Sequence, residues 1–148
     1  RDFRELFAKI GVEKNIPYPG MKEALLRLRD AGKVLCVATS KPEPFARAIA
    51  DRFGLAECFD FVGGASLDDT RTKKAAVIEY VLASVGSPKP EQVLMVGDRR
   101  HDVEGAAAFG IDCVGVLYGY GSREELTAAG ACFLAEQPAD IADYVLGK

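Results

Sequence analysis

The stretch Val93-Leu94-Met95-Val96-Gly97-Asp98-Arg99-Arg100-His101-Asp102 decides how this chain is read. Four consecutive apolar residues with no polar alternation predict a strand buried on both faces, as in a parallel sheet. Glycine and aspartate at its end predict a tight turn into a helix. Asp98 then sits at the strand's C-terminal edge, and Asp102 sits one turn into the helix on the same side. Ligands of open α/β sheets bind outside the carboxyl ends of the strands. Two carboxylates four residues apart at that edge are placed to hold a divalent cation. Mg²⁺ in particular takes one or two carboxylates together with waters and substrate phosphate. The same turn also fits a solvated loop whose aspartates cap the helix, and the turn alone does not separate the two.

Two further strand ends bear on the choice. The apolar run Val34-Leu35-Cys36-Val37-Ala38 closes on Thr39-Ser40-Lys41-Pro42. A hydroxyl and backbone N–H groups before a helix that opens near Pro42 form a phosphate seat, although Ser and Thr also cap helices routinely. Arg71-Thr72-Lys73-Lys74 precedes the apolar periodicity of Ala75, Val77-Ile78 and Val81-Leu82. A lysine at a helix start opposes the helix dipole unless it has an anionic partner. Lys73 is expected to be solvated.

Working outward, helices are expected over 2–10, 21–31, 43–53, 73–85, 103–109, 123–129 and 139–146. Strands are expected over 33–39, 59–62, 93–96, 113–117 and 132–134. In the first helix Phe3, Leu6, Phe7 and Ile10 share a face; in the second Leu25, Leu26 and Leu28 point inward and Gly32 is the stop. Strands alternating with helices predict an α/β fold with a doubly wound parallel sheet. Right-handed crossovers then gather Thr39, Lys74, Asp98 and Asp102 on one edge.

The chain has 148 residues, 49% of them hydrophobic, enough for one domain with a core. Nineteen basic and 22 acidic residues give a net charge of -3 with no basic stripe, which argues against nucleic acid as a partner. Cys36, Cys58, Cys113 and Cys132 are widely spaced in or beside apolar runs, with no zinc or redox spacing. They read as reduced core residues of a cytoplasmic protein. No apolar stretch is long enough to span a membrane.

The ordered set Thr39, Lys74 and Gly97-Asp98-x-x-x-Asp102 resembles motifs two, three and four of the haloacid dehalogenase superfamily. Tyr18-Pro19-Gly20, Ala38-Thr39-Ser40-Lys41-Pro42, Lys74-Ala75-Ala76-Val77-Ile78 and Gly119-Tyr120-Gly121-Ser122 are similar to its phosphoglycolate phosphatase-like branch. The resemblance implies a Rossmann-like core over 17–148, with 1–16 as a remnant of a helical cap that ends in the cap's C-terminal helix. It implies Mg²⁺-dependent hydrolysis of a small phosphorylated metabolite, such as 2-phosphoglycolate, by way of an aspartyl-phosphate. In that scheme Asp98 ligates Mg²⁺. Asp102 serves the metal through a water or braces Lys74. Thr39 and the Ser40 N–H hold phosphate oxygens, and Lys74 neutralises the phosphate and the nucleophile.

The family's first motif, Asp-x-Asp-Gly-Thr at the end of the first strand, does not occur in this chain. That strand lies between those ending at Thr39 and Val96, and without it two apolar strands would face a gap with unpaired ladders. The chain is therefore expected to be a segment of a longer one that carries the nucleophile, and to be inactive by itself. The competing reading is a non-catalytic module that binds phosphate and Mg²⁺. A phospho-receiver domain ranks lower, because Asp98 follows a later strand than its aspartate would. A dinucleotide dehydrogenase lacks its glycine fingerprint here. His101 and Arg99 are expected on the surface of the turn, and Tyr120 at the pocket or in its turn only.

Overall fold

The computed structural model describes residues 5–8, 19–68 and 74–147. Six strands, β1 (Glu5–Ala8), β2 (Val34–Pro42), β3 (Phe61–Ala65), β4 (Val93–Gly97), β5 (Asp112–Val116) and β6 (Phe133–Ala135), form one sheet in the order β3-β2-β1-β4-β5-β6. Every neighbouring pair is parallel. The helices are α1 (Met21–Asp30), α2 (Glu43–Arg52), α3 (Lys74–Ser84), α4 (Arg100–Ala107), α5 (Arg123–Ala129) and α6 (Pro138–Leu146).

The doubly wound architecture follows from continuous apolar strands whose successive side chains point to opposite faces. Leu35, Val37, Leu94 and Val96 join the core under α1, α2 and α6. Their neighbours Cys36, Ala38, Val93 and Met95 join the core under α3, α4 and α5. The chain runs from β1 outward to β3, then returns to β4 beside β1, so the order reverses at the centre of the sheet. A reversal of this kind opens a crevice at the strands' C-terminal ends.

Several expectations are corrected. Glu5–Ala8 is a strand, not part of a cap helix over 2–10; the other residues of that expected helix lie outside those described. Leu6 pairs in register with Leu35 on one side and Leu94 on the other, so the place expected to stand empty is filled. A short apolar run reads equally as helix or strand by periodicity. Here two ladders of backbone groups are satisfied only by a strand between them. The first motif does not accompany it: β1 reads Glu5-Leu6-Phe7-Ala8, without an aspartate.

Leu26 is exposed. At about 100° per residue it lies off the stripe of Ala24, Leu25 and Leu28, which is the buried one. Gly63 and Gly64 lie within β3 rather than after it. Cys36, Cys58 and Cys113 are buried, but Cys132 is exposed, just ahead of the edge strand β6. Lys73 lies outside the described residues. No helix among the described residues is long and apolar enough to cross a membrane.

Candidate active site

Thr39, Lys74, Asp98 and Asp102 are the four buried polar or charged residues among those described, and they meet at the C-terminal ends of β2 and β4. Beside Thr39 the ladder between β2 and β3 is irregular. Ala38 pairs with Gly63 and Pro42 with Ala65, so β2 carries extra residues between those pairs. Bulges of this kind re-aim side chains at the ends of strands. The Lys41 N–H donates to Thr39 Oγ1 at 3.2 Å, which closes the loop on itself. Gly64 permits the approach, since a Cβ there would stand 2.6 Å from the Lys41 carbonyl oxygen. Thr39 is buried while Ser40 is exposed.

Lys74, the first residue of α3, donates from Nζ to the Ala38 carbonyl at 2.7 Å. The same Nζ lies 3.0 Å from Asp102 Oδ1. The anionic partner that a lysine at this helix start requires is therefore Asp102. Its stem crosses α4 at Gly105, where a Cβ would lie 3.0 Å from Lys74 Cγ and 3.1 Å from Ile78 Cδ1.

Asp102 does two jobs at once. While Oδ1 pairs with Lys74, Oδ2 accepts the N–H groups of Asp98 at 3.1 Å and Arg99 at 3.2 Å. The two residues N-terminal to α4 thus have their backbone donors satisfied by a carboxylate of its own first turn. Gly97 is required, because a Cβ would lie 2.3 Å from Asp102 Cβ.

Asp98 is presented from the other side. Its Oδ2 accepts the Tyr120 N–H at 3.0 Å, and its carbonyl accepts the Gly121 N–H at 2.9 Å. Gly119 and Gly121 admit this contact: a Cβ on either would fall 2.2 Å from Asp98 Cβ or 2.1 Å from its carbonyl oxygen, respectively. The glycines of the Gly119-Tyr120-Gly121 loop serve a close approach to Asp98. The Tyr120 side chain is exposed at the rim, and His101 is exposed on α4.

Sequence reasoning missed Glu125. Its Oε2 accepts from Arg99 Nε and from the Arg100 N–H, each at 2.9 Å. The bond from Arg99 and that from the Arg100 N–H hold its carboxyl below the usual carboxylate range, and Glu125 raises the Arg99 guanidinium in turn. A signal was present in Ser122-x-x-Glu125, the spacing of a helix capping box. The Ser122 hydroxyl does accept the Glu125 N–H at 3.0 Å. The glutamate's carboxylate, however, bonds to the Asp98 turn.

Comparison with known proteins bears on the family and the fold. The family model for haloacid dehalogenase-like hydrolases matches residues 2–110. A 5'-nucleotidase of Pseudomonas aeruginosa is 44% identical over 126 residues, 85% of this chain and 57% of that protein. The tyrosine-protein kinase PtkA of Mycobacterium tuberculosis is 46% identical over 122 residues, 82% of this chain and 42% of that protein. A phosphoglycolate phosphatase of Vibrio vulnificus is 31% identical over 145 residues, 97% of this chain and 63% of that protein. The chain thus spans about half the length of these curated relatives. The crystal structure of a predicted phosphatase from Clostridium acetobutylicum superposes with a TM-score of 0.85 at 39% identity, covering 89% of this chain and 61% of that one. Sheet order, the ordered strand-end residues and a match over most of its length agree: the chain belongs to the haloacid dehalogenase-like hydrolase family.

Proposed function

We propose that this chain supplies the phosphate seat, the charge-neutralising lysine and the cation carboxylate of a phosphomonoester hydrolase acting on a small phosphorylated metabolite. The observation that carries the reading is Lys74 Nζ, held between the carbonyl of Ala38, the residue before Thr39, and Asp102, whose other oxygen accepts the Asp98 N–H. A buried cation fixed by two acceptors at a crevice is suited to receive an anion, and phosphoryl transfer asks mainly for positioning and charge stabilisation. Thr39 and the loop after it would hold phosphate oxygens.

The donor set suits Mg²⁺, which takes hard oxygen ligands and needs only one or two carboxylates. Asp98 is the carboxylate that would hold it. Both Asp102 oxygens are committed to Lys74 and to backbone N–H groups, so its part is the brace. When bound, the ion would offset repulsion between the phosphate and an anionic nucleophile. The attacking aspartate of an Asp-x-Asp-Gly-Thr motif is not among these 148 residues, so turnover through an aspartyl-phosphate requires it from outside them.

The second reading, a phosphate- and Mg²⁺-binding module without catalysis, draws on β1, the central strand, which carries no aspartate. The relatives' names span hydrolysis of phosphomonoesters and phosphorylation of tyrosine, both of them reactions of a phosphoryl group.

The test is calorimetric titration of this chain with Mg²⁺, then with inorganic phosphate, alongside a phosphatase assay on 2-phosphoglycolate and a 5'-nucleotide. Mg²⁺-dependent phosphate binding is expected, lost in Asp98→Asn, with no turnover by these residues alone. Phosphate binding that ignores both Mg²⁺ and Asp98 would sink the proposal. Turnover by the chain as it stands would refute the statement that the nucleophile lies elsewhere.

A further inference from the structure

The turn that carries Asp98 is laced to a second segment 20 residues and more away in sequence. Three consecutive backbone N–H groups, those of Asp98, Arg99 and Arg100, are taken up by two carboxylates. Asp102 accepts the first two from within α4, and Glu125 accepts the third from α5. Glu125 also holds the Arg99 side chain at 2.9 Å. Between these contacts, Tyr120 N–H and Gly121 N–H bind the Asp98 carboxylate and carbonyl. A Cβ on Gly121 would stand 3.1 Å from Glu125 Oε2, so loop, turn and glutamate form one packed unit.

From this geometry we infer that Glu125 is a positioning residue for Asp98. It acts through Arg99 and the Arg100 N–H and sets how the turn presents its carboxylate to a divalent cation. The inference rests on the reading of Asp98 as the cation's ligand. The physical argument is one of direction. A carboxylate ligand is aimed by the groups bonded to it and to its backbone, and loss of such outer partners typically costs about 10- to 100-fold in metal affinity. Asp102 fixes the inner side of the turn from a buried position. Without Glu125, the outer side loses the bonds to Arg99 and to the Arg100 N–H and keeps those from the loop N–H groups. By contrast, an ordinary surface ion pair would contribute little to anything.

The experiment is Mg²⁺ titration by calorimetry of the whole chain and of Glu125→Ala, Glu125→Gln, Arg99→Met and Asp98→Asn, with urea unfolding of each. Glu125→Ala is expected to weaken Mg²⁺ binding by about tenfold. Glu125→Gln, which keeps an acceptor for the Arg100 N–H, should recover part of that loss. Arg99→Met should fall between wild type and Glu125→Ala, and unfolding midpoints should stay close to wild type. Glu125→Ala binding Mg²⁺ as wild type does, while Asp98→Asn does not bind, overturns the role of Glu125 and leaves the cation site standing. A loss of affinity that only tracks a loss of stability, without recovery in Glu125→Gln, also overturns it. Binding that is absent in wild type, or unchanged in Asp98→Asn, removes the cation site and the role of Glu125 together.

Discussion

Two aspartates in this molecule are wired alike and buried differently. Toward the N-terminal edge of the sheet, Asp60 accepts the Leu35 N–H at 2.9 Å and pairs with Arg29 at 3.2 Å. At the C-terminal edge, Asp102 accepts the Asp98 N–H at 3.1 Å and pairs with Lys74 at 3.0 Å. The Asp60 and Arg29 side chains keep 37% and 41% of their exposure, whereas Asp102 and Lys74 keep 1% and 7%. The exposed pair is a staple that joins α1 to the approach to β3. The buried pair stands on different terms, because removing two charges from water can cost more than their attraction returns. An apolar pair would hold α3 to α4 as well. What an apolar pair cannot do is leave a fixed cation beside Thr39 and a braced turn under Asp98.

The comparison is broken most directly at Lys74. Lys74→Met strands a buried carboxylate and is expected to lower the free energy of unfolding by about 3–5 kcal/mol, read from urea denaturation. The double variant Lys74→Met, Asp102→Asn keeps an acceptor for the backbone N–H groups and removes both charges. It should recover most of that stability while phosphate binding stays lost. Recovery of both would mean that the pair serves the fold alone.

A smaller effect is expected from Gly121→Ala, which probes how tightly the C-terminal edge is packed. The new methyl group would meet the Asp98 carbonyl oxygen, and backbone yields less readily than a side-chain tip. A loss of about 1–3 kcal/mol by denaturation is expected. Wild-type stability would show that the loop moves away freely. The smallest effect belongs to Asp60→Asn. The amide oxygen still accepts from Leu35, and only an exposed charge pair is lost, so denaturation should register about 1 kcal/mol or less. A loss as large as that of Lys74→Met would erase the contrast between the two edges.

Much of the site was legible because its residues sit at strand ends of recognisable character. Thr39 after Val34–Ala38 and Asp98 after Val93–Val96 could be placed from unbroken apolar runs alone. Lys74 was legible as a residue needing a partner. Glu125 was not, since its capping-box spacing suggests a local bond while its carboxylate reaches back more than 20 residues. Gly63 and Gly64 read as the stop of a strand; they are glycines because Val81 and the Lys41 carbonyl crowd them from other elements.

By itself the sequence determined the alternation of strands and helices, the parallel sheet, and which polar side chains arrive at its C-terminal edge. Those follow from periodicity and chain direction, which are local properties. Only the tertiary structure decided that Glu5–Ala8 closes the sheet as its central strand, that Asp102 spends its oxygens on Lys74 and the Asp98 turn, and that Glu125 clasps that turn from α5. Each of these answers a demand made elsewhere in the chain: two unpaired ladders, a lysine at a helix start, and a backbone N–H with no acceptor in its own segment. Such demands are met by whichever group the fold brings close, and sequence separation does not enter.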